Sequence, residues 1–333
     1  MGLILLRISK QPDDLAFTPA TGERLHWEQL PATVRHALED RLGSVVIESV
    51  TQPGGFSPGV AARLALADGR RVFVKVISSR PNPDSPAMHR REARIAATLP
   101  ASVPTPRLLW SYDDGDWVAI VFEDVEGWTP VTPWRPEELR RVLEAVTQLV
   151  QSLTPSPIAV ETIAERLHGP LQGWRTLQAA ARTSSDDLIG VPGWAQRNLE
   201  RLAALESDWE EASTGPTLLH FDRRADNILL TPDRVLFVDW PHASLGAGWM
   251  ELLQILPSIA MQGGPQPWEI FDSHPLGRDA PDRAVTAVLA AVAGYFVRQS
   301  RLPAPPGLKT LRAFQRDQGI PAVDWLVRRT GWP

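Results

Sequence analysis

The sequence predicts an α+β chain of two lobes: a small lobe on five antiparallel strands, followed by a larger, mainly helical one. Three observations carry that prediction. The first third holds short β-branched runs punctuated by glycine turns, and the rest holds apolar residues at helical spacing. Near residue 220 a polar loop leads into two short apolar strands. A length of 333 residues suffices for two lobes sharing a cleft, and 43% hydrophobic with 22% charged residues is ordinary for a globular protein.

Leu30, Val34, Ala37, Leu38 and Leu42 recur at helical spacing up to Gly43, which predicts a helix over Trp27 to Leu42. Val45 to Val50 is the first strand. It runs into Gln52-Pro53-Gly54-Gly55-Phe56-Ser57-Pro58-Gly59, after which Val60 to Ala67 and Arg71 to Ile77 form two strands across the Asp68-Gly69 hairpin signal. Past a loop from Pro81 to Pro86, His89 to Leu99 reads as helical, and Arg107 to Tyr112 and Trp117 to Phe122 complete the five strands. In Pro136 to Leu153, residues Leu139, Val142, Leu143, Val146, Leu149 and Val150 share one face. Trp174 to Arg182, Trp194 to Glu211, Trp249 to Ala260, Asp282 to Arg301 and Leu308 to Arg329 continue the helical pattern. Met261 to Asp282, rich in Gly and Pro, is expected to be a long irregular stretch, either a cover over an acceptor site or a plain connection.

Composition removes several function classes. No window approaches the ~18 consecutive apolar residues of a membrane span. The apolar opening Met1 to Leu6 is too short for a signal peptide and has neither a basic leader nor a small-residue cleavage site. With no cysteine there is no disulfide, thiol catalysis or cysteine-ligated metal, and a cytoplasmic location is the expectation. A net charge of −5 supplies no basic face, so neither nucleic acid nor membrane is expected as a partner; the oligomeric state stays open.

Chemistry concentrates at three places. The turn holding Gly54, Gly55, Ser57 and Gly59 lets backbone amides approach phosphate oxygens, although a flexible hairpin is written the same way. Lys75 shares a strand face with Phe73 and Ile77, which is costly unless the lysine is paired; Glu92 in the following helix is the candidate partner. Leu218 to Leu230 reads as a loop, His220-Phe221-Asp222-Arg223-Arg224-Ala225-Asp226-Asn227, that enters a short apolar strand. A second strand, Val235 to Val238, ends at Asp239. Phosphoryl transfer needs a carboxylate to orient the attacking hydroxyl and two further oxygen ligands for Mg²⁺, and Asp222, Asn227 and Asp239 supply them.

In this order of parts, His220-x-Asp222, four residues, Asn227, then Asp239 followed by the aromatic Trp240, the chain resembles the aminoglycoside phosphotransferase-like family of small-molecule kinases. That family shares the protein-kinase fold, and Phe221 stands where it usually has Gly. The resemblance implies Asp222 as the catalytic base, Asn227 and Asp239 as the Mg²⁺ ligands, and Lys75, braced by Glu92, on the α- and β-phosphates beneath the Gly54 to Gly59 loop. It implies a hinge over Glu123 to Gly127, where backbone groups at Glu123 and Val125 meet the purine of ATP or GTP; a polar loop after a strand would look alike. His220 then fixes the loop rather than reacting. Glu251 braces it from a helix start where the family commonly has Asp. Arg224 either brings positive charge to the transferred phosphoryl group or pairs with Asp226. The implied division is a nucleotide-binding lobe over 1–122, the hinge over 123–127 and a helical lobe with the catalytic loop and acceptor site over 128–333.

The expected function is Mg²⁺-dependent transfer of a nucleotide γ-phosphate to a small hydroxyl-bearing acceptor. From Gly127 to Pro333 there are 20 Lys plus Arg against 23 Asp plus Glu, too slight an acidic excess for a polycationic acceptor. Tryptophans concentrate in the same lobe, and aromatic faces suit sugar or nucleoside surfaces, although most of these indoles are expected in the core. A weakly charged antibiotic or a glycosylated or nucleoside-type metabolite is therefore the preferred acceptor. A metabolic kinase of the sugar, choline or homoserine type would use the same residues. A non-catalytic nucleotide-binding protein would be marked by loss of the base or metal positions, and all three are present.

Overall fold

The computed structural model describes residues 17–333 apart from 23, 81 and 184–187; the opening Met1 to Leu6 lies outside the described residues. The small lobe begins with a short 3₁₀ turn, Trp27–Gln29, and α1, Ala32–Leu42. A single helix over Trp27 to Leu42 was expected. Pro31 divides it, because a proline has no N–H to donate and keeps the residue before it extended. Five strands follow, with a helix after the third: β1 Val46–Thr51, β2 Val60–Leu66, β3 Arg71–Ser78, α2 Ser85–Thr98, β4 Leu108–Asp113 and β5 Trp117–Glu123. They form one antiparallel sheet in the order β1-β2-β3-β5-β4.

Strand alternation sorts the two faces of that sheet. Leu64, Val72, Val74 and Val121 pack with Val34, Leu38 and Leu42 of α1 into one core. Residues of opposite parity, among them Phe73, Ile120 and Phe122, pack with Ala93 and Ala96 of α2. Lys75 has this second parity, in register with Ala61 and Ile120, so its side chain emerges on the α2 side.

The large lobe is helical. Its elements before the catalytic loop are α3 Pro136–Ser152, α4 Ile163–Leu167, α5 Gly173–Ala181, α6 Gly193–Arg197, α7 Leu199–Glu206 and α8 Trp209–Ala212. Four short strands bracket the loop: β6 Thr217–Leu219, β7 Ile228–Leu230, β8 Val235–Phe237 and β9 Ser244–Gly246, with β6 paired to β9 and β7 to β8. The chain ends with α9 Met250–Met261, α10 Pro267–Phe271, α11 Pro275–Arg278, α12 Asp282–Gln299 and α13 Leu311–Thr330.

Two expectations change here, and a third holds. Trp194 to Glu211 is three short helices: Asn198 leaves helical geometry while its side-chain amide donates to the carbonyls of Trp194 at 3.1 Å and Pro333 at 2.9 Å. Met261 to Asp282 is not irregular throughout, because Pro267 and Pro275 start α10 and α11, where a missing N–H costs nothing. The tryptophans of this lobe mostly fill its core. Trp134, Trp174, Trp209, Trp240, Trp249 and Trp325 are buried, and Trp194 stacks on Trp332 at 6.2 Å between centroids. Packing therefore accounts for most of the indoles that had suggested an aromatic acceptor surface.

Candidate active site

β6 delivers the chain to the catalytic loop, and a brace fixes it from behind. His220 is fully buried; its Nδ1 accepts from the Asp222 N–H at 3.2 Å while its Nε2 donates to the Val238 carbonyl at 2.9 Å. Burial, helped by the nearby Arg223 cation, pushes its pKa down to about 3 and keeps the ring neutral. The ring packs edge-on against Trp240, centroids 4.6 Å apart. The His220 backbone N–H donates to Glu251, whose carboxylate pairs with Arg223; both side chains are completely buried. Glu251 thus braces the loop in spite of its extra methylene, and Arg223, which the sequence reading had not singled out, is its counter-charge. Phe221 and Asp239 carry left-handed backbone, φ 58° and 70°. A glycine would adopt this backbone without steric cost, whereas Phe221 is strained; contact with the large-lobe core accompanies the strain.

Asp222 lies at the front of the loop with its side chain 21% exposed. Asn227 Nδ2 donates to its backbone carbonyl at 2.7 Å and to Oδ2 at 3.1 Å, and Arg224 Nη1 donates to Oδ1 at 2.5 Å. Burial raises the carboxyl pKa to about 7, Arg224 opposing it and the charges of Asp239 and Asp226 adding to it. Arg224 also forks onto Asp226 at 3.1 and 3.0 Å. It does pair with Asp226, and it reaches Asp222 in the same geometry.

Across the cleft, Lys75 Nζ donates to Glu92 Oε1 at 2.7 Å and to Asp239 Oδ1 at 3.1 Å. Burial works against the Asp239 carboxylate, but the Lys75 ammonium outweighs it and holds its pKa well below the usual range. Burial pushes Glu92 up to about 7.

Gly54, Gly55 and Ser57 line the cleft, as do Glu123 and Val125. Gly54 and Gly55 have φ 90° and 75°. Gly59 was expected to join the phosphate loop, but it lies outside the cleft lining: a Cβ there would fall 2.4 Å from the Val76 carbonyl oxygen, so close packing on β3 is what requires glycine. The segment 123–127, expected as a hinge, is held at both ends. Asp124 forks onto Arg63 at 2.6 and 2.8 Å, and Trp128 and Leu230 exchange backbone hydrogen bonds of 2.9 and 2.7 Å. A Cβ on Gly127 would meet the Leu230 carbonyl oxygen at 2.5 Å. Arg24, also unmarked in the sequence reading, reaches the glycine loop from the segment before α1: Nη1 donates to the Ser57 carbonyl at 2.6 Å and Nη2 to that of Gly54.

A five-stranded lobe hinged to a helical lobe, with a lysine–glutamate pair facing an Asp-Asn-Asp set, defines a protein of the kinase-like phosphotransferase class. The chain belongs to the phosphotransferase enzyme family, whose model matches residues 53–315. It is similar to thiamine kinases of Salmonella paratyphi B, 28% identical over 211 residues, and Salmonella typhimurium, 27% identical over 211 residues; in each case the match covers 60% of this chain and 66% of the relative. The match thus spans just under two thirds of those relatives' length. Among solved structures it resembles aminoglycoside phosphotransferase APH(4)-Ia in a ternary complex with AMP-PNP and hygromycin B, with TM-score 0.57, 15% identity, 91% of this chain and 100% of that one. It also resembles a choline/ethanolamine kinase family protein from Mesorhizobium loti, with TM-score 0.53, 17% identity and coverage of 90% and 93%. At these identities the two structures speak to the fold alone.

Proposed function

We propose that this chain transfers the γ-phosphate of Mg-ATP or Mg-GTP to a hydroxyl of a small metabolite. The reading rests on one arrangement: Lys75, held between Glu92 and Asp239 at 2.7 and 3.1 Å, faces the loop on which Asn227 holds Asp222. The donor set fits Mg²⁺. Asn227 commits its amide nitrogen to Asp222, which leaves the side-chain oxygen for a metal, and Asp239 meets Lys75 through one of its two oxygens. Two protein ligands are enough, because Mg²⁺ keeps several waters and takes substrate phosphates. When bound, the ion neutralises charge on the transferred group.

The side chains do the rest by position and charge. Asp222 accepts the proton of the acceptor hydroxyl as its oxygen attacks the γ-phosphorus; the bond to the bridging oxygen breaks, and its electron pair leaves with the nucleoside diphosphate. Lys75 binds the phosphates. Backbone groups of Gly54, Gly55 and Ser57 cover them, and those at Glu123 and Val125 meet the base.

Asp222, Asp226, Asp239 and Glu92 face Arg24, Lys75 and Arg224 near the site, which leaves only a slight acidic excess for a polycationic aminoglycoside. Likeness to thiamine kinases favours the alcohol of a small metabolite. The same charge balance supports a weakly charged antibiotic as the second reading. The test is incubation with Mg-ATP or Mg-GTP and a panel of vitamin alcohols, amino alcohols, sugars, nucleosides and antibiotics, read by mass spectrometry for one added phosphate. Phosphate on a metabolite, reduced about 10²- to 10⁴-fold by Asp222→Ala, supports the proposal. Phosphate on an antibiotic alone selects the second reading, and equal turnover by the variant would sink the assigned base.

A further inference from the structure

We infer that Arg24 is a second phosphate-binding cation, carried to the nucleotide by a strap that precedes the small lobe. The inference rests on the kinase reading and extends it to a segment outside the matched residues 53–315. The strap follows the glycine loop closely. Thr21 bridges Gly55 in parallel, the Leu25 N–H donates to the Gly59 carbonyl at 3.2 Å, and a Cβ on Gly22 would meet the Phe56 carbonyl oxygen at 2.8 Å.

Arg24 is the strap residue that turns into the cleft, which it lines with Lys75 and Asp239. Its two terminal nitrogens hold the carbonyls of Gly54 and Ser57, at the start and near the end of the glycine turn. Its Nε is buried with no hydrogen-bond partner among the described residues. A Cβ on Gly55 would lie 2.9 Å from Arg24 Nη2 and 4.0 Å from Asp226 Oδ2, so guanidinium and carboxylate flank the same backbone carbon at the tip of the loop. Holding a guanidinium here has a cost: burial lowers its pKa, and the opposing charges are Asp239 and Asp226. Two carbonyls could be held by a neutral amide. A full cation beside Asp226 and Asp239 suits a ligand that adds more negative charge than the metal it brings, and a nucleoside triphosphate is such a ligand.

The chemistry separates phosphate from base. Binding of Mg-ATP, Mg-GTP, the diphosphates and the free nucleosides would be measured by titration calorimetry on the wild-type chain and on Arg24→Met, Arg24→Lys and Arg24→Gln. For the nucleotide that the wild type binds, Arg24→Met is expected to weaken triphosphate and diphosphate about 10- to 100-fold and leave the nucleoside unchanged. Arg24→Lys should recover part of the loss. If Arg24→Met does not fold, the ratio of triphosphate to nucleoside affinity in Arg24→Gln, which keeps amide donors and drops the charge, carries the test, and a ratio equal to wild type overturns the inference. Equal weakening of nucleoside and triphosphate, or no weakening, would reduce Arg24 to a prop for the loop. A wild-type chain that binds neither nucleotide would instead overturn the kinase reading itself.

Discussion

At Asp222 burial outweighs the cation that opposes it. Burial and the charges of Asp226 and Asp239 raise its pKa to about 7, while Arg224 pulls the other way. A general base works only when ionised, so kcat/KM should rise with pH through an acid limb near 7, the free-enzyme value. Arg224→Gln removes the cation that favours the carboxylate, so its acid limb should move to higher pH; a limb that stays put or falls would show that Arg224 does not act on the base. Lys75→Met has a different signature, a higher nucleotide KM and a large loss of kcat, because the variant leaves Glu92 and Asp239 facing one another without the ammonium between them. At this scale much of the site was legible. His220, Asp222, Asn227 and Asp239 lie in one linear run, and Lys75 stood out as a charge on an apolar strand face. Arg24 was not legible, because it recognises backbone carbonyls about 30 residues away and such contacts leave no side-chain pattern. Arg223 and Arg224 are neighbours of identical chemistry; only the fold sends one to the buried Glu251 and the other to Asp222 and Asp226.

The five strands could be read from β-branched runs and glycine turns, and the sheet they form buries one face against α1 and the other against α2. Helices of the large lobe were harder, since an apolar run does not say where a carbonyl will be taken by a side chain, as at Asn198, or where a proline starts a helix instead of stopping one, as at Pro267. Close helix contacts were less legible still. α5 meets α12 so tightly that a Cβ on Gly173 would fall 2.0 Å from the Gly294 carbonyl oxygen, and one on Gly294 would fall 2.7 Å from Glu206 Oε1. Glu206 in turn accepts the N–H groups of Trp174 at 3.0 Å and Arg175 at 2.9 Å at the start of α5. Gly173→Ala must therefore push the two helices apart or strain that carboxylate. It should cost about 1–3 kcal/mol and lower the thermal midpoint, measured by calorimetry, while Gly169→Ala, where a Cβ would meet nothing within 4 Å, serves as the control. Equal midpoints for the two variants would remove the close approach from the account.

Among the described residues the two lobes meet at several places besides 123–127: Lys75 reaches Asp239, and Arg91 of α2 donates to the carbonyls of Pro241 at 2.8 Å and Ala243 at 2.9 Å. The hinge was expected from Glu123 to Gly127. A further tie joins residues far apart in sequence: Thr18 donates its N–H and hydroxyl to Asp317 at 2.9 and 2.7 Å, and the Thr310 hydroxyl donates to the Thr21 carbonyl at 2.7 Å. Phe56 at the tip of the glycine loop packs edge-on against Phe314 with centroids 5.1 Å apart, and Arg224 lies 5.5 and 5.7 Å from the two rings. Contacts 299 residues apart have no local periodicity to betray them, and both partners of the Thr18–Asp317 pair lie outside the family match. Their consequence is mechanical. If nucleotide enters by opening of the glycine loop, as the proposed function requires, the loop must part these contacts, so its opening is expected to depend on the last helix. Asp317→Ala deletes the two hydrogen bonds from Thr18 and leaves the hinge untouched. Amide exchange should then speed up in residues 18–25 and 53–59 and stay unchanged at the Trp128–Leu230 pair, and the nucleotide should both bind and leave faster. Faster exchange at the hinge as well would mean that the helix supports the whole small lobe, and unchanged exchange in the glycine loop would mean that the strap does not restrain it.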